Sequence, residues 1–302
     1  MKNNTQMIFT HKLYAVVVTY KPKLEILEKC ILSLKDQLNK IIIVDNTPDG
    51  CKDLESLKIF TNIEIIYLKN NYGIAYAQNV GIKKALEEKA DYILLSDQDT
   101  MYPSDFMEKM LLCFKDKVAA AGPLFLDIHT GKVQFFITRG KIGFKKIYPT
   151  SGKHEVLQLI ASGTVINAKY LPDIGLMMEE LFIDWVDMEW CWRAVSKGYK
   201  IIGNADIIIK HFHGEGSKKI LNREINIKSS IRYYYTIRNA IFLSLHTKTL
   251  NTYYRGILFF KTLRNILLFT TISDNHFKTL KYALKGFYHG IIGKLGKLDE
   301  DH

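Results

Sequence analysis

Tyr92-Ile93-Leu94-Leu95-Ser96-Asp97-Gln98-Asp99-Thr100 is the stretch that decides the fold. Four consecutive apolar residues run directly into two carboxylates spaced i, i+2, and Pro103 follows three residues after Thr100. A continuous apolar run closed by acids and a proline reads as a buried strand that carries acidic groups to its C-terminal end. Open α/β sheets bind their ligands at that end. Asp97 and Asp99 cannot both sit in a core, because an unpaired buried carboxylate costs more than local packing returns. A divalent metal would balance them. The plainer alternative is that Asp99 caps a helix beginning near Pro103 while Asp97 is a solvated turn residue.

Working outward, the same unit repeats. Leu13–Thr19 (LYAVVVT) is continuous and β-branched, breaks at Tyr20-Lys21-Pro22, and is followed by Leu24, Leu27, Ile31 and Leu34 at helical spacing. Ile41–Val44 ends in Asp45-Asn46-Thr47, with Pro48 and Gly50 making the turn. Ile63–Leu68 reads as a third strand, after which Asn70-Asn71-Tyr72-Gly73 leads into a helix with Ile74, Ala77, Gly81 and Ala85 on one face. After the central strand come a helix near 103–115 and a strand near 118–122. Strands and helices alternating over short loops predict an α/β fold with a mostly parallel, right-handed βαβ sheet. Thr19, Asp45 and the Asp97/Asp99 pair all fall at strand ends. No GxGxxG or GxxxxGK[ST] cradle follows the first strand, which argues against a dinucleotide fold and a P-loop.

A chain of 302 residues accommodates one large domain, or a typical domain with an extension. Residues 1–12 are polar and hold no apolar run of signal-peptide length, so the expected location is the cytosol. Cys30, Cys51, Cys113 and Cys191 lack CxxC spacing and read as buried thiols. The net charge of +11 is unevenly placed: residues 217–298 carry 15 Lys and Arg against two acids, while the rest of the chain is close to neutral. That excess points to an anionic partner for the last quarter, either nucleic acid or acidic lipid headgroups.

VVVTYKP (Val16–Pro22), IIIVDNTPDG (Ile41–Gly50), NYGIAYAQNVG (Asn71–Gly81) and LLSDQDT (Leu94–Thr100) resemble the successive blocks of glycosyltransferase family 2, in particular its bacterial rhamnosyltransferase branch. The resemblance extends over about residues 13–216, which implies a GT-A (Rossmann-like) catalytic domain at 1–216 and a helical basic extension at 217–302. It implies that Thr19, Tyr20 and Asp45 surround the nucleotide base and ribose, that Asp97 lies near the ribose or a metal-bound water, and that Asp99 binds the metal. Asn46, Gly73, Asn79 and Gln98, in the same blocks, join them as expected nucleotide-sugar contacts. QLIASGTVIN (Gln158–Asn167) has two apolar pieces broken by Ser162-Gly163; the residues alone are equally consistent with a strand kink. The resemblance puts Ser162 and Gly163 beside the donor sugar.

A second dense stretch is ELFIDWVDMEWCWR (Glu180–Arg193). A helix from about Val186 would make Glu189 and Arg193 an i, i+4 ion pair and leave Asp184 as a cap. Asp187 then has no structural task, and the resemblance makes it the catalytic base. The family commonly has Glu-Asp where this chain has Val186-Asp187. Trp185, Trp190 and Trp192 are either core or, by their flat apolar faces, a sugar platform. A last strand, Ile207–Phe212, ends in His211-Phe212-His213-Gly214, and alignment on the glycine makes His211 the family's metal-ligand histidine. One histidine, one carboxylate and a diphosphate suit Mn²⁺ or Mg²⁺.

Tyr233–Asn239 (YYYTIRN) resembles a tyrosine-rich Arg-Asn segment of the same branch, and Arg238 is placed within reach of the diphosphate. Phe277, Leu280, Leu284, Phe287 and Ile291 step 3, 4, 3, 4 among Lys278, Lys281, Lys285 and Lys294, as in an amphipathic basic helix on an anionic bilayer. Packing on the catalytic domain or on a partner subunit in an oligomer is the alternative. The expectation is an inverting, metal-dependent transferase. It would move a sugar, by the resemblance L-rhamnose from dTDP-rhamnose, to a glycan or polyprenyl-diphosphate-linked acceptor at the inner face of the membrane. Another donor such as a UDP-hexose is the nearest variant. A nucleotidylyltransferase would show a glycine-rich first loop, and a nucleic-acid adaptor has no motif here to accompany its charge.

Overall fold

β1 (Leu13–Thr19) is buried at all seven positions, as a β-branched run must be when it has strands on both sides and other elements over both faces. The computed structural model describes residues 11–127, 131–211, 217–220, 223–226 and 229–299. Alternate residues of β1 feed opposite cores, Tyr14, Val16 and Val18 on one face and Leu13, Ala15 and Val17 on the other. α1 (Leu24–Leu34) covers the second face with Leu27, Cys30, Ile31 and Leu34. β2 (Lys40–Asp45) and β3 (Ile63–Tyr67) extend the sheet in parallel. α2 (Ile74–Glu87) crosses the first face, where Gly81 allows its backbone down onto Val16.

β4 (Tyr92–Asp97) pairs in parallel with the other edge of β1. The registers Thr19↔Asp45 and Val18↔Asp97 therefore bring the polar ends of three strands to one rim. Then follow β5 (Thr100–Met101), α3 (Phe106–Leu111), shorter than its sequence suggested, and β6 (Val118–Asp127), longer than expected. β7 (Lys132–Val133), the hairpin β8 (Phe136–Arg139) and β9 (Phe144–Ile147), and β10 (Lys153–Val156) precede β11 (Val165–Asn167). β11 inserts between β4 and β6 antiparallel to both. α4 (Leu171–Ile174), α5 (Val186–Ser196) and β12 (Lys200–His211) complete a sheet of order β10-β12-β6-β11-β4-β1-β2-β3. It is largely parallel, and helices flank it.

β13 (Ser217–Ile220) and β14 (Arg223–Asn226) form a hairpin before three helices, α6 (Ser230–His246), α7 (Thr252–Ile272) and α8 (His276–Ile292). α6, α7 and their connection share the main core: Ala240, Leu243, Leu250, Tyr254 and Leu258 belong to the same cluster as Val16 and Trp190. α8 meets α6 through Gly286 and Gly290, whose missing side chains leave room for the Tyr234 and Arg238 carbonyls. The apolar stripe of α8 is consequently split. Leu280 and Phe287 pack around Ile237 and Ile241, while Phe277 stays 90% exposed and Leu284 and Ile291 also face out. This corrects the expectation of one continuous bilayer face, because the 3-4-3-4 pattern comprises two columns and only one remains outside. Among the described residues no helix is long and apolar enough to cross a membrane.

Candidate active site

At the rim, Thr19 Oγ1 donates to Asp45 Oδ1 at 3.0 Å, and the Thr47 and Cys51 amides donate to the same carboxylate at 3.2 and 2.6 Å. Asp45 is fully buried and shapes the 46–51 loop from inside. Asn46 is also buried; it donates to Asn71 Oδ1 and accepts from the Tyr72 amide at 2.8 Å, tying the β2 end to the loop before α2. Tyr20 is 43% exposed. Its amide donates to Gln98 Oε1 at 2.9 Å, so the loop after β1 is held against the Asp-Gln-Asp turn. Asp97, Gln98 and Asp99 are half-buried. The turn is anchored from the far side by Ser162, whose hydroxyl accepts from the Asp97 amide at 3.1 Å and is hydrogen-bonded to that of Thr100 at 2.7 Å. Gly163, at φ 81°, turns the chain there and donates to the Leu95 carbonyl.

Asp187 lies one residue along the same link. Its Oδ2 accepts from the Ala161 amide at 3.0 Å and its Oδ1 from the Met188 amide at 2.9 Å. Desolvation raises its pKa to about 6, against the pull of those two amides. Consecutive residues, Ala161 and Ser162, thus connect a carboxylate poised near neutrality to the acidic turn of β4. Neither residue's role is visible in the sequence beyond the Ser-Gly break.

Several expected contacts lie elsewhere. Arg238 is fully buried, with Nη2 donating to the Leu181 carbonyl at 2.8 Å and Nη1 bonded to the Gly296 carbonyl. Its expected reach to a diphosphate is corrected, since the guanidinium serves protein carbonyls. Asn79 is likewise a buried brace: Nδ2 donates to the Met177 carbonyl and to Glu179, while Oδ1 accepts from the Met177 amide. Gly73, at φ 88°, lets the chain approach Phe182, whose carbonyl a Cβ would meet at 2.5 Å. Trp190 and Trp192 are core residues, each 1% exposed, with indole N–H groups on the Gly175 carbonyl and Gln158. Trp185 is half-buried and donates to the Thr236 carbonyl. Asp184 does not cap α5; it accepts from Thr236 and Arg232 instead. The Glu189–Arg193 pair forms as expected and is bidentate at 2.9 Å with Glu189 buried.

The backbone of β12 puts His211 opposite Thr100 in antiparallel register with β5, one residue beyond Asp99. The His211 side chain, and all of His213, lie outside the described residues. Among those described, no three His, Cys, Asp or Glu gather as a metal cage. A carboxylate and an imidazole still fit Mn²⁺ or Mg²⁺ when a diphosphate and waters supply the other oxygens. A feature missed in the sequence is a cavity of about 360 Å³ bounded by Asn71, Tyr72, Tyr76, Glu179, Glu180 and Phe182. The Tyr72 and Tyr76 rings sit 5.0 Å apart. Their i, i+4 spacing at the start of α2 is the sequence signal for this pair.

A family model described as glycosyl transferase family 2 matches residues 14–175. The chain is 38% identical over 237 residues to the dTDP-rhamnosyl transferase RfbF of Shigella flexneri, covering 76% of this chain and 79% of that protein. The S. aureus TarS 1–349 structure with UDP-GlcNAc is similar at TM-score 0.58 and 16% identity, over 93% of this chain and 81% of that one. GalNAc-T7, solved with UDP, GalNAc and Mn²⁺, is similar at TM-score 0.58 and 12% identity, over 85% of this chain and 57% of that longer one. At such identities the two structures speak for the fold alone. The rim of strand ends, the acidic turn and the family match lead to one conclusion: the chain belongs to glycosyltransferase family 2 and is a glycosyltransferase.

Proposed function

We propose that the protein transfers L-rhamnose from dTDP-rhamnose, with inversion, to a hydroxyl of a glycan or polyprenyl-diphosphate-linked acceptor in bacterial surface-glycan synthesis. The observation that carries this reading is the Ala161-Ser162 link, which holds a carboxylate titrating near 6 next to the acidic turn that ends β4. Asp187 takes the acceptor proton as its oxygen bonds to the anomeric carbon. The bond from that carbon to the diphosphate breaks, and the nucleotide diphosphate leaves with the electron pair. Asp99 and His211 would hold Mn²⁺ or Mg²⁺, which would supply charge stabilisation to the leaving diphosphate. Tyr20 and the loop after β1 border the nucleotide, and Ser162 and Gly163 the sugar. The 38% identity to a dTDP-rhamnosyl transferase supports the donor. A panel of nucleotide sugars assayed for transfer and hydrolysis with Mn²⁺ or Mg²⁺ tests it. dTDP-rhamnose should be turned over fastest, and preference for a UDP-hexose would overturn the donor assignment.

The exposed column of α8 supports a place of work. Phe277, Leu284 and Ile291 face outward beside Lys278 and Lys281, and α7 adds exposed Phe260, Arg264 and Leu267. An apolar surface edged with cations suits an anionic bilayer at the inner face of the cell membrane, where polyprenyl-linked acceptors are held. Each basic residue near such a surface contributes about 1 kcal/mol, screened by salt. The protein should sediment with anionic vesicles at low salt and be released at high salt. Phe277→Ser with Leu284→Ser should weaken this binding, and indifference of the unaltered protein to vesicles would overturn it.

A further inference from the structure

Phe182, Asp184 and Trp185 have φ values of 66°, 63° and 68°. Three left-handed side-chain-bearing residues within four positions are strained and persist only where surroundings over-determine them. The turn ends at Val186, where α5 begins, and Asp187 is the second residue of that helix. Its conformation therefore sets where the Asp187 carboxylate lies.

One face of α6, fifty residues away in the chain, supplies the restraint. Asn239 is fully buried, and its Nδ2 donates to the Leu181, Ile183 and Asp184 carbonyls at 2.9, 2.8 and 3.0 Å. Its Oδ1 accepts from Arg238 Nε at 2.8 Å, which fixes the amide's orientation. Thr236 Oγ1 donates to Asp184 Oδ2 at 2.8 Å, and the Thr236 carbonyl accepts from Trp185 Nε1 at 2.9 Å. Arg232 Nη2 reaches the other Asp184 oxygen at 3.4 Å. Residues 232, 236 and 239 share one face of a helix. On the opposite side the Ile74 amide donates to the Phe182 carbonyl at 2.8 Å.

We propose that Asn239 and Thr236 of the C-terminal extension are positioning residues for glycosyl transfer: they hold the 182–185 turn left-handed and so aim Asp187 at the acceptor hydroxyl. This rests on Asp187 being the base. The extension is then part of the catalytic apparatus as well as a surface for docking.

The experiment is a double-variant cycle of Thr236→Val and Asn239→Ala with Asp187→Asn, read by kcat, donor affinity and amide hydrogen exchange over residues 181–188. Each α6 variant should lower kcat about tenfold or more, leave donor affinity unchanged, and speed exchange in the turn. In the Asp187→Asn background the added kcat loss should vanish, because misplacing an absent base costs nothing. Losses that multiply in that background, or that follow donor affinity, overturn the proposal and leave a merely structural role. If Asp187→Asn keeps normal turnover, the base assignment itself fails, and unchanged exchange in the turn then overturns the clamp separately. Thr236→Val removes one hydroxyl at nearly constant volume, so it serves should Asn239→Ala fail to fold.

Discussion

The fold treats Asp45 and Asp187 in opposite ways. Asp45 is fully buried, with both oxygens occupied by Thr19, Thr47 and Cys51, and it ties the end of β1 to the loop after β2. Asp187 is half-buried, accepts two amides, and is lifted to about 6 by desolvation. The proposed donor side is assembled from strand ends in register, braced across strands by side-chain hydrogen bonds such as Thr19–Asp45 and Tyr20–Gln98. The proposed acceptor side, at Asp187, follows a left-handed turn hydrogen-bonded to α6. Under the proposed function, holding a large anionic substrate and moving a proton are different demands, and the two carboxylates differ accordingly.

The donor side is broken most completely by Asp99→Ala. Metal-dependent donor binding should disappear with the fold intact, and calorimetry returning unchanged affinity with metal would move the metal site elsewhere. Asp187→Asn breaks the acceptor side alone: turnover should fall by roughly 10²-fold or more at nearly constant donor affinity. Near-normal turnover would shift attention to Asp184.

A pH profile sharpens the same contrast. As the proposed base, Asp187 would act in its ionised form, and its pKa is raised to about 6. Hence kcat/KM should be level above that value and fall about tenfold per unit below it. Asp187→Asn should erase the inflexion, whereas Asp45→Asn should lower stability and leave the shape of the curve. The smallest effect is expected at the seam between the halves. Gly73→Ala places a Cβ 2.5 Å from the Phe182 carbonyl at φ 88°, which should cost about 1–3 kcal/mol of stability in denaturant unfolding.

The amino-acid pattern by itself determined the strands β1 to β4, their polar ends, the helix from Val186 and the ion pair Glu189–Arg193. Each of these follows from local periodicity: an apolar run meeting acids means a buried strand reaching solvent, whatever surrounds it. Only the tertiary structure decided that β11 inserts antiparallel, that Asn79 and Arg238 serve carbonyls rather than ligand, and that the α8 stripe divides. The same holds for the left-handed turn before Asp187, whose partners lie some fifty residues later on α6. Such outcomes depend on which groups remain unpaired once distant segments meet, and a buried Asn or Arg carries no local mark of whether a ligand or a carbonyl will satisfy it.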